Sequence, residues 1–212
     1  MKCDPKDLLL YAVTDRHWLN GRTLVDVVKE SLDGGVTMIQ LREKSLDEGK
    51  FLEEAKELQA LCRERHVPFI VNDNVDIAKA MDADGVHVGQ EDLEAGRTRE
   101  LLGPDKLIGV SAHSVEEALA AQAAGADYLG VGAAFVTGTK TDAKPISRET
   151  IRAITAAVDI PVVAIGGIHK ENILQLKGTG VDGVALVSAI FAAKDIEAEC
   201  RELRALSEQI IK

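Results

Sequence analysis

One short punctuation mark recurs along this chain and limits the folds open to it. Gly34-Gly35-Val36, Ala83-Asp84-Gly85, Gly125-Ala126-Asp127 and Gly180-Val181-Asp182 each stand between a helical pattern and an apolar run. Glycine can end a helix in the left-handed conformation at little steric cost, after which the chain turns back. The apolar runs cover 8–14, 37–42, 68–72, 85–89, 107–111, 128–132, 162–165 and 183–187. They are continuous Val/Ile/Leu segments rather than alternating ones, which predicts parallel strands covered on both faces. Between them, Leu24, Val27, Val28 and Ser31 recur at helical spacing, as do Phe51, Leu52, Ala55, Leu58 and Leu61. Ser114 and Glu117 read as a capping box opening a helix through Ala124, and 196–210 reads as a final helix. About eight βα units in 212 residues predict an α/β fold, a (β/α)8 TIM barrel, as a single domain over 1–212. An open doubly wound sheet is the alternative.

Charge narrows the partners. The formal net charge is -10, which disfavours nucleic acid and anionic membranes while leaving a small anion free to bind where basic groups converge. Cys3, Cys62 and Cys200 are far apart and lack metal-ligand spacing, as expected of reduced thiols in a cytoplasmic protein. No apolar stretch approaches the ~20 residues of a membrane span, and the start of the chain is too acidic for a signal peptide.

A barrel enzyme works at the C-terminal ends of its strands. Those positions hold Gln40, Leu41, Arg42, Glu43 and Lys44; Asn72 and Asp73; Gln90, Glu91 and Asp92; Ser111; Thr137 to Lys140; Gly166 and Gly167; Val187 and Ser188. Arg42, Lys44 and Lys140 are cations suited to phosphoryl oxygens. Asp73 and Asp92 suit Mg²⁺, a hard cation that takes carboxylate and phosphate oxygens. Each carboxylate has a second reading as the N-cap of the helix that follows it. Gly166-Gly167 and Val187-Ser188 follow the last two strands, where backbone N–H groups of barrels often hold phosphate. Thr137, Gly138 and Thr139 lie in a long loop, a place where function concentrates. His87 and His113 pair with no Ser or Cys nucleophile at a recognisable spacing, so a hydrolytic triad is not expected. The histidines also lack zinc spacing.

The ordered set Tyr11-Ala-Val-Thr-Asp15, Gln40 to Lys44, Asn72-Asp73, Asp84 to Asp92, Gly109-Val-Ser111, Tyr128 to Gly132, Thr137 to Lys140, Gly166-Gly-Ile168 and Val187-Ser188 resembles the thiamine-phosphate synthase family. The resemblance runs from about Leu8 to about Phe191. It implies a TIM barrel transferase of thiamine biosynthesis that joins a hydroxymethylpyrimidine diphosphate to a thiazole phosphate or carboxythiazole phosphate. It implies that Gln40, Leu41, Arg42, Glu43, Lys44, Asn72, Ser111 and Lys140 hold the pyrimidine diphosphate, with Arg42, Lys44, Ser111 and Lys140 catalytic. It assigns the thiazole phosphate to Thr137, Gly138, Thr139, Gly167, Val187 and Ser188, and Mg²⁺ to Asp73 and Asp92. One departure from the family pattern is Ala133-Ala134, where proline often follows the glycine. The alternatives are a thiazole tautomerase on the same fold, or a non-catalytic regulator that binds thiazole phosphate. Small phosphorylated molecules are the expected partners, and a homo-oligomer is left open.

Overall fold

The computed structural model describes residues 3–43, 46–89, 95–136 and 145–211. Eight strands form a closed parallel barrel in chain order: β1 (Leu10–Val13), β2 (Met38–Leu41), β3 (Phe69–Asn72), β4 (Gly85–Val88), β5 (Leu107–Ala112), β6 (Tyr128–Gly132), β7 (Val162–Ile165) and β8 (Gly183–Leu186). β8 pairs with β1, with Leu10 opposite Val184, so the sheet has no edge left open. Around it lie α1 (Leu24–Asp33), α2 (Glu48–Glu64), α3 (Val75–Ala80), α4 (Ala95–Leu102), α5 (Val115–Ala123), α6 (Arg148–Ala157), α7 (Ser188–Phe191) and α8 (Ile196–Ile210). The crossover after β7 is a 3₁₀ turn, Ile173–Leu176, rather than a full helix. No helix among the described residues is long and apolar enough to cross a membrane.

Strand alternation splits the core into two layers. Side chains at every second position enter the barrel, where Leu8, Tyr11, Val13, Met38, Ile70, Leu107, Tyr128 and Val163 pack together. Their neighbours Ile39, Leu41, Val71, Val86, Ile108 and Leu129 face outward against the helices. Burying one such side chain stabilises the fold by roughly 1.5–3 kcal/mol. Both faces of the strands are thus largely apolar, which is why the sequence runs are nearly continuous.

The helix-to-strand marks do two jobs. Gly35, Gly125 and Gly180 take positive φ, at 95°, 94° and 83°, and turn the chain back. At the remaining mark the expectation fails: Asp82 takes the left-handed turn with φ 54°, and Gly85 lies within β4, where a Cβ would collide with the Leu107 carbonyl. The residue before every even strand then clasps the start of the odd strand preceding it. The Asp84, Asp127 and Asp182 carboxylates accept from the N–H groups of Phe69 (2.9 Å), Ile108 (2.8 Å) and Val162 (2.8 Å). Thr37 does the same with its hydroxyl, accepting from Leu10 N–H at 2.9 Å. Arg99 braces this end further, donating to the carbonyls of Gly103, Lys106 and Gly125 and to Asp127 at 2.5 Å.

Ser114 caps α5 as expected, accepting from Glu117 N–H at 3.2 Å. The return half of the box reaches one residue further than expected, because Glu117 accepts from His113 N–H at 2.7 Å.

Candidate active site

Where the strands end, the barrel opens into a cavity of about 250 Å³. Gln40, Arg42, Asn72, Asp73, His87, Ser111 and His113 line it on the side of β2 to β5, and Gly166, Gly167, Val187 and Ser188 on the side of β7 and β8. Residues separated by well over a hundred positions meet there because each ends, or immediately follows, a strand of one closed sheet.

Arg42 follows β2. Its backbone N–H donates to Thr14 Oγ1 at 3.0 Å, and its guanidinium donates to Asp15 Oδ2 at 3.2 Å. The other Asp15 oxygen caps the short turn after β1 by accepting from His17 N–H at 2.9 Å. Asp15 therefore takes one of the five guanidinium N–H donors and leaves a fork able to engage an anion.

Asn72 and Asp73 come from the end of β3. Asn72 Nδ2 donates to Asp73 Oδ2 at 2.5 Å. The helix-capping alternative for Asp73 falls away, because α3 is capped by Asn74, whose side chain accepts from Ile77 N–H at 2.9 Å. Asp73 holds φ 59°, an uncommon conformation for a residue with a side chain, and it lines the cavity. A hard carboxylate oxygen at that place is chemically suited to Mg²⁺.

Two residues expected at the site lie elsewhere. Leu41 is fully buried in the outer layer, since alternation along β2 sends Gln40 inward and Leu41 outward. Glu43 is not among the cavity residues. Its carboxylate pairs with Arg16, which also pairs with Glu54, so it ties the first loop to the end of β2. Lys44, Gln90, Glu91, Asp92, Thr137, Gly138, Thr139 and Lys140 lie outside the described residues.

On the opposite wall Gly166 and Gly167 hold φ of 99° and 64°. A Cβ on Gly166 would come within 2.7 Å of the Ala133 side chain, and one on Gly167 would strike the carbonyls of Phe135 and Val136. These glycines let the loops after β6 and β7 lie backbone to backbone, with Phe135 N–H donating to Gly166 O at 3.0 Å. Buried Asn172, which the sequence did not single out, fixes the second loop: its amide donates to Gly167 O at 2.8 Å and accepts from His169 N–H at 2.9 Å. α7 begins at Ser188 with no side chain capping it, and both Val187 and Ser188 line the cavity.

Beneath the cavity runs a buried polar chain that sequence reasoning missed. Gln40 Nε2 donates to Tyr11 Oη at 2.7 Å, and Tyr11 Oη lies 2.8 Å from Tyr128 Oη. Tyr128 Oη lies 3.2 Å from His87 Nδ1, and His87 Nε2 lies 3.1 Å from Ser111 Oγ. Burial pushes both phenols well above their ordinary range, so each keeps its proton. With Gln40 donating to Tyr11, the hydroxyl of Tyr11 is left to donate to Tyr128 and that of Tyr128 to His87 Nδ1, both staying protonated. The opposite polarity would aim two donors at Tyr11 and send its proton outside the chain, and an orphaned buried hydroxyl costs roughly 1–3 kcal/mol. The sequence does carry a signal for this arrangement. Gly109 and Gly130 stand at inward positions of the two strands after His87, and glycine inside a strand marks a close approach. A Cβ on Gly109 would collide with both His87 and Tyr128, and one on Gly130 would come within 3.0 Å of the His87 ring.

Fold and cavity together define a class: a parallel barrel whose strand ends gather cationic, anionic and amide groups in one hollow, the construction of a barrel enzyme. Residues 10–190 match the family model described as thiamine monophosphate synthase, and the chain belongs to that family. It is 49% identical to the thiamine-phosphate synthase of Clostridium tetani over 197 residues, covering 93% of this chain and 94% of that one. It is 51% identical to the thiamine-phosphate synthase of Chloroflexus aurantiacus over 201 residues, covering 94% and 93%. The solved structure of thiamine phosphate pyrophosphorylase from Pyrococcus furiosus superimposes with a TM-score of 0.90 at 43% identity, covering 98% of this chain and 99% of that one.

Proposed function

We propose that this chain is a thiamine-phosphate synthase, a transferase that joins a hydroxymethylpyrimidine diphosphate to a thiazole phosphate and releases diphosphate. One observation carries the reading: Arg42, Asn72, Asp73 and Ser111 face Gly167, Val187 and Ser188 across a single cavity in a chain of this family. The first group suits a diphosphate. The second offers backbone N–H groups to a phosphate monoester.

The bond from the pyrimidine methylene carbon to the diphosphate oxygen breaks with its electron pair leaving on oxygen. The aminopyrimidine ring delocalises the positive charge left on carbon. The thiazole nitrogen then donates its lone pair to that carbon, closing the C–N bond without a general base. With a carboxylated thiazole, the bond to the carboxylate then breaks with its electron pair left on the ring carbon, CO2 departs and that carbon takes a proton from water. Arg42 and Ser111 stabilise the negative charge that grows on the leaving diphosphate, in company with Lys44 and Lys140. The packed barrel interior beneath the cavity, whose buried polar groups bond to one another, keeps water from the cationic carbon. Asp73, with Asp92, would hold Mg²⁺, which would supply further charge neutralisation to the diphosphate. The work is that of a cytoplasmic enzyme acting on small phosphorylated molecules.

The test is to mix both substrates with Mg²⁺ and follow thiamine phosphate and pyrophosphate. Equal amounts of the two are expected. Isomerised thiazole alone identifies a tautomerase, and no product leaves only a binding role. Lys140→Ala and Asp73→Asn should each slow pyrophosphate release by on the order of 10²–10³. Release within a factor of two of the parent would remove these residues from the mechanism.

A further inference from the structure

We propose that Asp15 is a positioning residue that holds the Arg42 guanidinium in one orientation, so that Arg42 meets the leaving diphosphate with its fork already set. The identity of the anion rests on the thiamine-phosphate synthase reading, and the hold itself on geometry.

The end of β1 grips the residue after β2 at two points. Thr14 N–H donates to Gln40 O at 2.9 Å, which carries the pairing of the two strands past Val13. Thr14 is fully buried, and its Oγ1 accepts from Arg42 N–H at 3.0 Å. That bond fixes the backbone from which the Arg42 side chain springs. Asp15 fixes the other end, with Oδ2 accepting from Arg42 Nη1 at 3.2 Å. The Arg42 side chain is 17% exposed and that of Asp15 19%, so water and salt screen this pair less than a surface pair. Arg42 lines the cavity and Asp15 does not, so the carboxylate acts on the substrate through Arg42.

The neighbouring residues repeat the hold with the charges exchanged. Arg16 pairs with Glu43, so Asp15-Arg16 meets Arg42-Glu43 minus to plus and plus to minus. Arg16 also pairs with Glu54 of α2, which anchors the loop from which Asp15 reaches. Both oxygens of the Asp15 carboxylate are used. Oδ1 accepts from His17 N–H at 2.9 Å and caps the turn Arg16–Trp18, while Oδ2 takes Arg42. An amide has one such oxygen. Asp15→Asn can keep the cap, a role asparagine fills well, only by turning an NH2 donor toward the guanidinium. That substitution separates the hold on Arg42 from the shape of the loop.

The experiment joins guanidinium NMR to kinetics. In the whole protein without ligands, ¹⁵N spectra should show separate Nη1 and Nη2 signals for Arg42, assigned by their loss in Arg42→Lys. Asp15→Asn should merge them, because the bond that hinders rotation of the group is gone. In the coupling assay Asp15→Asn should lower kcat about tenfold or more, with the melting temperature close to the parent's. In an Arg42→Ala background the same change should cost less than about twofold, since the group it positions is absent. Asp15→Ser, whose hydroxyl can cap the turn but offers no second oxygen, should repeat both results and replaces the Asn variant if that fails to fold. Arg42 signals that stay separate in Asp15→Asn, or a penalty of equal size in both backgrounds, overturn the proposal. A parent protein that forms no pyrophosphate would instead refute the synthase reading, and the spectra would still uphold or overturn the hold on Arg42.

Discussion

The two ends of this barrel are built from the same residue types and use them in opposite ways. At the N-terminal end, Asp84, Asp127 and Asp182 accept backbone N–H groups of neighbouring strands, and Arg99 is engaged by three carbonyls and a carboxylate. At the C-terminal end, Asp73 and Arg42 line a hollow, and Arg42 is held through one guanidinium donor by Asp15. The lower end directs its polar groups into the fold. The upper end directs several of them into the cavity. The aspartates before the even strands are all used by the backbone, whereas those after strands divide, Asp73 lining the cavity and Asp15 holding Arg42.

Substitutions at the two ends should therefore separate activity from stability. The largest effect is expected from Arg42→Ala, a loss on the order of 10²–10³ in kcat with the melting temperature close to the parent's. A melting temperature that falls with the rate would make Arg42 part of the scaffold and erase the contrast. Asp127→Ala is the mirror case. It strands Ile108 N–H and Arg99, so denaturant melts should show stability lower by about 1–3 kcal/mol, with kcat per folded molecule unchanged.

The buried thiols give a smaller effect that depends on pH. Burial, with nearby carboxylates adding to it, pushes Cys3, Cys62 and Cys200 up to about 12 from an ordinary value of 9.0. The folded state keeps these protons where the unfolded chain loses them, so their contribution is constant below pH 9 and stability declines as pH rises from 9 toward 12. Each thiol should remove at most about 1.4 kcal/mol per pH unit there. Melts at about pH 8, 9 and 10 check the direction, and a flat profile would show that the thiols ionise in place. The smallest change is expected at the mouth. Glu117→Ala should cost only roughly 0.3–1 kcal/mol in a chemical melt, because the carboxylate is partly exposed at the first turn of α5.

The barrel is readable because parallel strands covered on both faces leave long apolar runs, and the helix-to-strand marks count them. The same property hides which residues face inward. Alternation in Ile39-Gln40-Leu41-Arg42 puts Gln40 and Arg42 on one face and Ile39 and Leu41 on the other, but only closure of the barrel says which face is inside. Asn72, Asp73 and Asn74 are all able caps, so spacing alone cannot assign the helix cap to Asn74 and release Asp73. His87 has no nucleophile near it along the chain, and so nothing local marks it. Its partners Tyr128 and Ser111 come from two other strands, and only the registers of β4, β5 and β6 bring them together.

The clasps before the even strands have a constructional consequence. Thr37, Asp84, Asp127 and Asp182 join β1 to β2, β3 to β4, β5 to β6 and β7 to β8, and none of the four bridges successive pairs. The cylinder is in this sense four quarters, each tied at its own base. A polypeptide nicked between β4 and β5 keeps all four ties inside its fragments, whereas one nicked between β5 and β6 severs the Asp127 tie, and the first pair of fragments should reassemble the more readily.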